Sequence, residues 1–296
     1  MLGELVTVVT EDRVRLDGFF ARPPEQGDGF EQEKLLQNRA VDAAVIVHGL
    51  SGNFYKSRLL KHLAHQLVAH GIPTVLANTR GHDYLNSTAR MGRAQTLGAA
   101  VEVVDEARFD MYAWAEFLGD QNYERILLMG HSLGAIKSLL AQARNPHPKV
   151  KALACLSATR LSENALLNSK KGERFGELLD KARALVEQDN GDQLIFVDFP
   201  FPTWMSAKAY SLKYGSGESN NWISVAGSIR VPTLCLFGRI ELDENPAFIG
   251  MENELSQVVD NNPSISVEVI EGADHFYSAR ALAASEKIIQ WLASID

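Results

Sequence analysis

The chain has 296 residues, of which 46% are hydrophobic and 22% are charged, and its formal net charge at pH 7 is -8. This length and composition allow a substantial buried core, which excludes a disordered or fibrous protein. The acidic balance repels phosphate backbones, so nucleic acid is not an expected partner.

The first hundred residues begin with a pair of predicted strands, at residues 4–10 and 13–21, joined by a polar turn. Residues 22–40 are polar and rich in Gly, Pro and Glu, which predicts a loop with a short helix. Residues 43–47 form a continuous apolar run, typical of a strand buried on both faces. Leucines at helical spacing then predict a helix over residues 56–70.

Strands and helices alternate along much of the remaining chain. In order, the pattern predicts a strand at 73–77, a helix at 97–118, a strand at 125–129, a helix at 133–143, strands at 150–156, 231–237 and 265–270, and a helix at 279–292. This alternation predicts a mostly parallel sheet with helices on both of its faces.

Residues 158–230 interrupt this alternation. They contain a predicted helix near residues 175–188 and a series of aromatic side chains: Phe196, Phe199, Phe201, Trp204, Tyr210, Tyr214 and Trp222. We expect residues 1–157 and 231–296 to form one α/β core. Residues 158–230 are expected to form a cap or lid insertion over the carboxyl edge of the sheet, where ligands bind in open α/β folds.

Residues 130–134 carry the motif that predicts chemistry. Gly130-His131-Ser132-Leu133-Gly134 fits the pattern G-x-S-x-G between a predicted strand and a predicted helix. A turn this tight leaves no room for side chains at the two flanking glycines, and it lifts the serine hydroxyl above the sheet. The amino terminus of the following helix then points towards the reacting carbonyl group.

The chain resembles the α/β-hydrolase superfamily, in its serine esterase and lipase-like branch, over nearly its whole length. The matching motifs are His48-Gly49 after one strand, Arg80-Gly81-His82 after the next, the elbow at 130–134, and Gly272-Ala273-Asp274-His275 near the end. The resemblance implies an α/β-hydrolase fold and a catalytic serine, acid and histidine in that order along the chain.

The resemblance also implies a role for each catalytic side chain. Ser132 would be the nucleophile, and His275 would be the base, since an imidazole can accept and return a proton near neutral pH. The acid would follow the strand at 231–237. Glu241, three residues after Gly238, is favoured, and Asp243 stays an alternative because aspartate is the commoner acid.

Two backbone N–H groups would form the oxyanion hole that the resemblance implies. One is expected from Leu133, the residue after the nucleophile. The other is expected from the loop after His48-Gly49, at Leu50.

The function implied is a serine hydrolase that acts on carboxylic esters through an acyl-enzyme, with no metal or organic cofactor. Other chemistry of the superfamily stays open: hydrolysis of carbon–carbon bonds or thioesters, and acyl transfer. A non-catalytic binding protein on this fold also stays open. The aromatic residues of the insertion suggest an apolar or aromatic substrate group, or simple packing within the cap.

The cysteines and apolar runs indicate a location. Residues 1–5 lack the basic start and long apolar run of a signal peptide. No run approaches the ~20 apolar residues that cross a bilayer. Cys155 and Cys235 lie in strand-like apolar runs, which favours buried free thiols over a disulfide. We therefore expect a cytoplasmic protein without a membrane span that acts on a small-molecule ester; no oligomeric state is indicated.

Overall fold

The computed structural model describes residues 1–24, 40–90, 93–245 and 247–295. The strands are β1 Gly3–Val9, β2 Arg15–Ala21, β3 Ala43–Val47, β4 Thr74–Ala77, β5 Asn86–Arg90, β6 Arg93–Leu97, β7 Ile126–His131, β8 Val150–Leu156, β9 Leu194–Val197, β10 Thr203–Ser206, β11 Thr233–Gly238 and β12 Ile265–Ile270. The helices are α1 Arg58–Ala69, α2 Ala107–Asp120, α3 Leu133–Arg144, α4 Glu163–Leu167, α5 Gly172–Glu187, α6 Ala207–Tyr214, α7 Trp222–Val225, α8 Arg239–Glu244, α9 Met251–Asn261 and α10 Ala281–Leu292.

Eight strands form the central sheet in the order β1-β2-β4-β3-β7-β8-β11-β12. Strands β1 and β2 are antiparallel to their neighbours, and the rest of the sheet is parallel. One face packs on α2 and α3 through residues such as Trp114 and Ile136, and the other packs on α1 and α10 through residues such as Leu63 and Ile288. The predicted mostly parallel sheet with helices on both faces is confirmed.

The strand order reverses direction between β3 and β7. From β3 the chain crosses through α1 to β4 on one side, whereas β7, β8, β11 and β12 add on the other side. At such a switch point the loops that leave the two strands diverge and open a crevice at the carboxyl edge of the sheet. The loop after β3 and the turn after β7 therefore meet where a ligand would bind.

The helix predicted at 97–118 is wrong over its first ten residues. Leu97 ends β6, which pairs with β5 in a separate hairpin, and α2 begins only at Ala107 after a 3-10 turn. Val104 is buried, so the apolar residues at this spacing do face the core. They lie partly on the 3-10 turn and partly on α2, and not on one continuous helix. The polar sequence of β5 and β6 lacks the alternation that predicts a strand.

The predicted loop with a short helix at 22–40 falls mainly on residues 25–39, which lie outside the described residues. In the parts of the chain that the structure does describe, each helix is too short or too polar to cross a lipid bilayer. Cys155 and Cys235 are free, fully buried and opposite each other on β8 and β11, as their apolar runs predicted.

The aromatic residues of 158–230 are divided between packing and the surface. Tyr210, Tyr214 and Trp222 are buried in the core that includes α5, the helix predicted near 175–188. Phe196 and Trp204 instead contact each other on the exposed side of the β9–β10 hairpin, with ring centroids 5.6 Å apart. Most of these side chains therefore stabilise the segment itself.

A buried cluster of three charges joins this segment to the core. Glu102 lies between Lys137 of α3, with which it forms an ion pair, and Lys213 of α6, whose Nζ is 3.5 Å from its Oε2; all three side chains are at most 1% exposed. Burial opposes ionisation of Glu102, but the two lysine charges outweigh this effect and lower its pKa. The carboxylate lies directly over Gly81, where a Cβ atom would be 1.9 Å from Oε1, so only glycine fits there.

Candidate active site

Ser132 occupies the turn between β7 and α3 in a strained backbone conformation, with φ 56° and ψ -124°. Neighbouring backbone explains both flanking glycines. A Cβ atom at Gly130 would lie 2.4 Å from the backbone of Gly134, and one at Gly134 would lie 2.5 Å from the carbonyl oxygen of His48. The turn can form only with glycine at both positions, and it presents the serine hydroxyl at the carboxyl edge of the sheet.

The structure brings Ser132, His275 and Glu241 together. His275 Nε2 is 3.1 Å from Ser132 Oγ, and His275 Nδ1 is 2.8 Å from Glu241 Oε2. Because a carboxylate can only accept, Nδ1 carries the proton of a neutral ring and Nε2 is free to accept the serine proton. This is the geometry of a nucleophile, a base and an orienting acid.

Glu241 is held rigidly although it lies on a short helix. Its side chain is fully buried, and its Oε1 accepts hydrogen bonds from the Ser157 hydroxyl at 2.6 Å and from the backbone N–H of Gly238 at 2.7 Å. These two donors leave Oε2 directed at His275. Ser157 was not among the residues that the sequence singled out, since nothing in its local pattern marks a serine that supports an acid.

The structure places Asp243, the alternative acid, away from His275. The chain enters α8 at Arg239, so residues 241 and 243 are about 200° apart around the helix axis. The Asp243 side chain is 55% exposed and pairs with Arg239 at 3.4 Å. Asp274, the neighbour of the histidine, accepts hydrogen bonds from the backbone N–H groups of Phe276 and Ser278 and so stabilises the turn.

The backbone N–H groups of Leu50 and Leu133 are the expected oxyanion-hole donors; Leu50 lines the same cavity as Ser132, and Leu133 follows Ser132 directly. Gly49 packs against the elbow so closely that a Cβ atom there would be 3.1 Å from Ser132 Cβ. Within the described residues, neither N–H donates a hydrogen bond to another protein group. Both donors are therefore free to bind an oxyanion formed at Ser132.

His131, the variable position of the elbow, has a supporting contact that the sequence did not indicate. Its Nε2 is 2.7 Å from the backbone carbonyl oxygen of His275, to which it donates. Burial is the main cause that lowers the pKa of His131 to about 4, so the ring is neutral at neutral pH. Its ring also lies 4.9 Å from the ring of His275, centroid to centroid.

Substitution of His131 should separate this hydrogen bond from packing. In glutamine, the amide nitrogen can occupy the position of the imidazole Nε2 and still donate to the His275 carbonyl, whereas leucine cannot. We expect His131→Leu to lower kcat by about tenfold, because the histidine loop loses its donor and shifts. His131→Gln should stay within about threefold of native, from the same principle. Steady-state kinetics checks this, and equal losses in both variants would contradict it.

A cavity of 760 Å³ opens onto these groups. Its walls include Ser132 and His275, the loop after β3, the first turn of α1 and the loop that follows His275. Of the aromatic side chains predicted to set substrate choice, Phe201 alone lines this cavity. The described residues contain no group of three or more His, Cys, Asp or Glu side chains placed to hold a metal ion.

Comparisons with known proteins agree with this architecture. A model of the alpha/beta hydrolase family matches residues 44–285. Est1E from Butyrivibrio proteoclasticus is 14% identical, with a TM-score of 0.64 over 98% of this chain and 99% of that chain. An esterase of Pyrococcus furiosus, PF2001, is 16% identical, with a TM-score of 0.62 over 98% of this chain and 90% of that one.

The alpha/beta hydrolase GrgF from Penicillium sp. sh18 is also similar, with 14% identity and a TM-score of 0.67 over 99% of this chain and 98% of that one. No curated protein sequence matches significantly. At these identities the likeness to the solved structures shows the fold.

Proposed function

The chain belongs to the alpha/beta hydrolase family, and on that premise we propose that it is a serine hydrolase that cleaves carboxylic esters of small molecules. The observation that carries the proposal is that both ring nitrogens of His275 are within hydrogen-bond distance of the proposed partners, Ser132 and Glu241. Esterase activity in the names of two structural neighbours is consistent with it.

In the proposed reaction, Ser132 Oγ attacks the ester carbonyl carbon while His275 Nε2 takes its proton. The backbone N–H groups of Leu50 and Leu133 stabilise the oxyanion, and Glu241 stabilises the imidazolium. The carbon–oxygen bond to the alcohol then breaks, the alcohol leaves with the proton from His275, and the acyl group stays on Ser132. Water then loses a proton to His275 and attacks the acyl carbon; the bond from that carbon to Ser132 Oγ breaks, His275 returns the proton to Oγ, and the acid leaves. No metal or organic cofactor takes part in this scheme.

We also propose that residues 158–230 form a cap that sets substrate choice. The presence of Phe201 in the wall of the cavity supports this role, since it brings an apolar side chain of the segment close to the nucleophile. A cytoplasmic location is part of the same proposal, and it is supported by two buried cysteines that form no disulfide with each other.

Hydrolysis of p-nitrophenyl esters from acetate to decanoate tests the proposal directly. We expect turnover, with an optimum chain length that reports the room in the acyl part of the cavity. Labelling by a fluorophosphonate probe is the companion measurement, because the probe reacts with an activated serine. Labelling without ester turnover would favour another chemistry, such as thioester or carbon–carbon hydrolysis or acyl transfer. Absence of both would favour a binding protein on this fold.

A further inference from the structure

Among the described residues, the charged side chains that line the active-site cavity are all cationic. Lys56 and Arg58 line it, and no aspartate or glutamate of this part of the chain does. The chain as a whole has the opposite balance, with 37 acidic and 29 basic residues. The wall of this cavity therefore differs in sign from the average surface of the molecule.

Lys56 and Arg58 differ in whether an acidic side chain already pairs with them. Lys56 Nζ is 2.5 Å from Asp83 Oδ1, in a half-exposed ion pair that Asn53 also joins. Arg58 makes no ion pair or hydrogen bond through its side chain within the described residues. The part of the chain that the structure describes therefore uses none of its five N–H donors.

Arg58 and the nucleophile face the same space. Arg58 is the first residue of α1, a helix of 12 residues whose side-chain cap is Ser57. The first turn of α1 lines the same cavity as Ser132 and His275. The positive end of the helix adds to the potential of the guanidinium group. Leu50, Phe201 and Phe276 supply apolar wall in this cavity.

We propose that the preferred substrates are esters that carry an anionic group, a carboxylate or a phosphate, which Arg58 binds while Ser132 attacks the ester. This inference rests on the proposed esterase function and names its substrate class. A guanidinium group suits both anions because its fork of donors matches their pairs of oxygen atoms. The apolar wall accommodates the chain between the ester and the anion.

Pairs of esters with equal carbon-chain length, one anionic and one neutral, test the inference on both sides of the scissile bond. On the acyl side, p-nitrophenyl hemiadipate is compared with p-nitrophenyl hexanoate. On the alcohol side, 4-carboxybutyl butyrate is compared with pentyl butyrate, with acid release followed by titration. We expect the anionic member of at least one pair to have the higher kcat/KM. High salt should reduce that preference, because ions screen an exposed charge pair.

Arg58 variants identify the group responsible. Arg58→Gln should reduce the anionic-to-neutral ratio of kcat/KM by about five- to tenfold, with the neutral ester hardly affected. Arg58→Lys should restore most of the ratio. Lys61→Gln is the matched control, since Lys61 is an exposed cation of the same helix outside the cavity. The side chain of Arg58 is exposed, so these variants should fold normally.

The outcomes separate this inference from the function on which it rests. Hydrolysis of neutral esters, with no anionic preference in either pair or with a preference that Arg58→Gln leaves unchanged, would overturn the inference and leave the esterase proposal standing. Hydrolysis of none of the four esters would overturn both.

Discussion

Replacement of Ser132 by alanine is expected to lower kcat for ester hydrolysis by about 10⁴-fold or more, because the covalent route is lost altogether. Alanine should occupy the same position without disturbing the turn. The two glycine contacts that shape the elbow do not involve the serine hydroxyl, and its backbone N–H still donates to Leu156 O at 2.8 Å. Rates with the most active p-nitrophenyl ester, for native protein and variant, check this.

Ser138→Ala provides the matched control for this variant. Ser138 is also on α3 and is fully buried, and its hydroxyl donates to the carbonyl oxygen of Gly134 at 2.9 Å rather than to His275. Its loss should leave kcat within about twofold of native, since this hydroxyl bonds within its own helix and is not hydrogen-bonded to His275 or Ser132. A loss below tenfold in Ser132→Ala would contradict the assignment of Ser132 as the nucleophile.

Glu241→Gln should lower kcat by about 10³- to 10⁴-fold, although it changes one atom. The Ser157 and Gly238 donors hold the glutamine oxygen in the position of Oε1. The amide nitrogen then faces His275 Nδ1 and donates to it, so Nδ1 becomes the acceptor. The ring proton moves to Nε2, which can no longer accept the proton of Ser132.

Asp243→Asn is the control for the charge that this change removes. Asp243 lies two residues after Glu241, and its exposed side chain is paired with Arg239, so we expect kcat within about twofold of native when its charge is removed. The comparison uses kcat and thermal unfolding of both variants. If only Asp243→Asn lost activity, Asp243 would replace Glu241 as the proposed acid; equal losses in both variants would contradict a specific role for Glu241.

The strand and helix pattern predicted most of the sheet because its strands are buried on both faces. Runs such as Ala43–Val47 and Val150–Leu156 begin and end where the apolar residues do. The elbow was predictable for a different reason, since a tight turn needs glycine on both sides of the serine. Polar elements escaped this reasoning, as the β5–β6 hairpin shows, because their stability comes from pairing with each other rather than from an apolar face.

The residues of the candidate site also differ in whether the sequence could single them out. Ser132 and His275 occupy positions that a motif or a strand end marks, and the family resemblance gave each a proposed role; Glu241 was favoured in the same way beside Asp243. Asp243 could not be set aside from the sequence, because that needs the start of α8 to be known to within one residue. His131, Ser157 and Arg58 carry no local signal, since their contacts depend on segments far away in the chain.

The buried charges of Glu102, Lys137 and Lys213 restrict which sequences from related proteins could replace residues 158–230 of this chain. If residues 158–230 act as the proposed cap, they would be the segment to transplant when a new specificity is wanted, yet α6 brings a lysine to a position that faces Glu102 at 3.5 Å. A donor segment with a cation or a neutral residue at position 213 would place no second negative charge beside Glu102 of the recipient. One with a carboxylate there would set two like charges together without water, which destabilises the chimaera by several kcal/mol. Sorting donor sequences by the charge at this one position is therefore a first filter for such grafts.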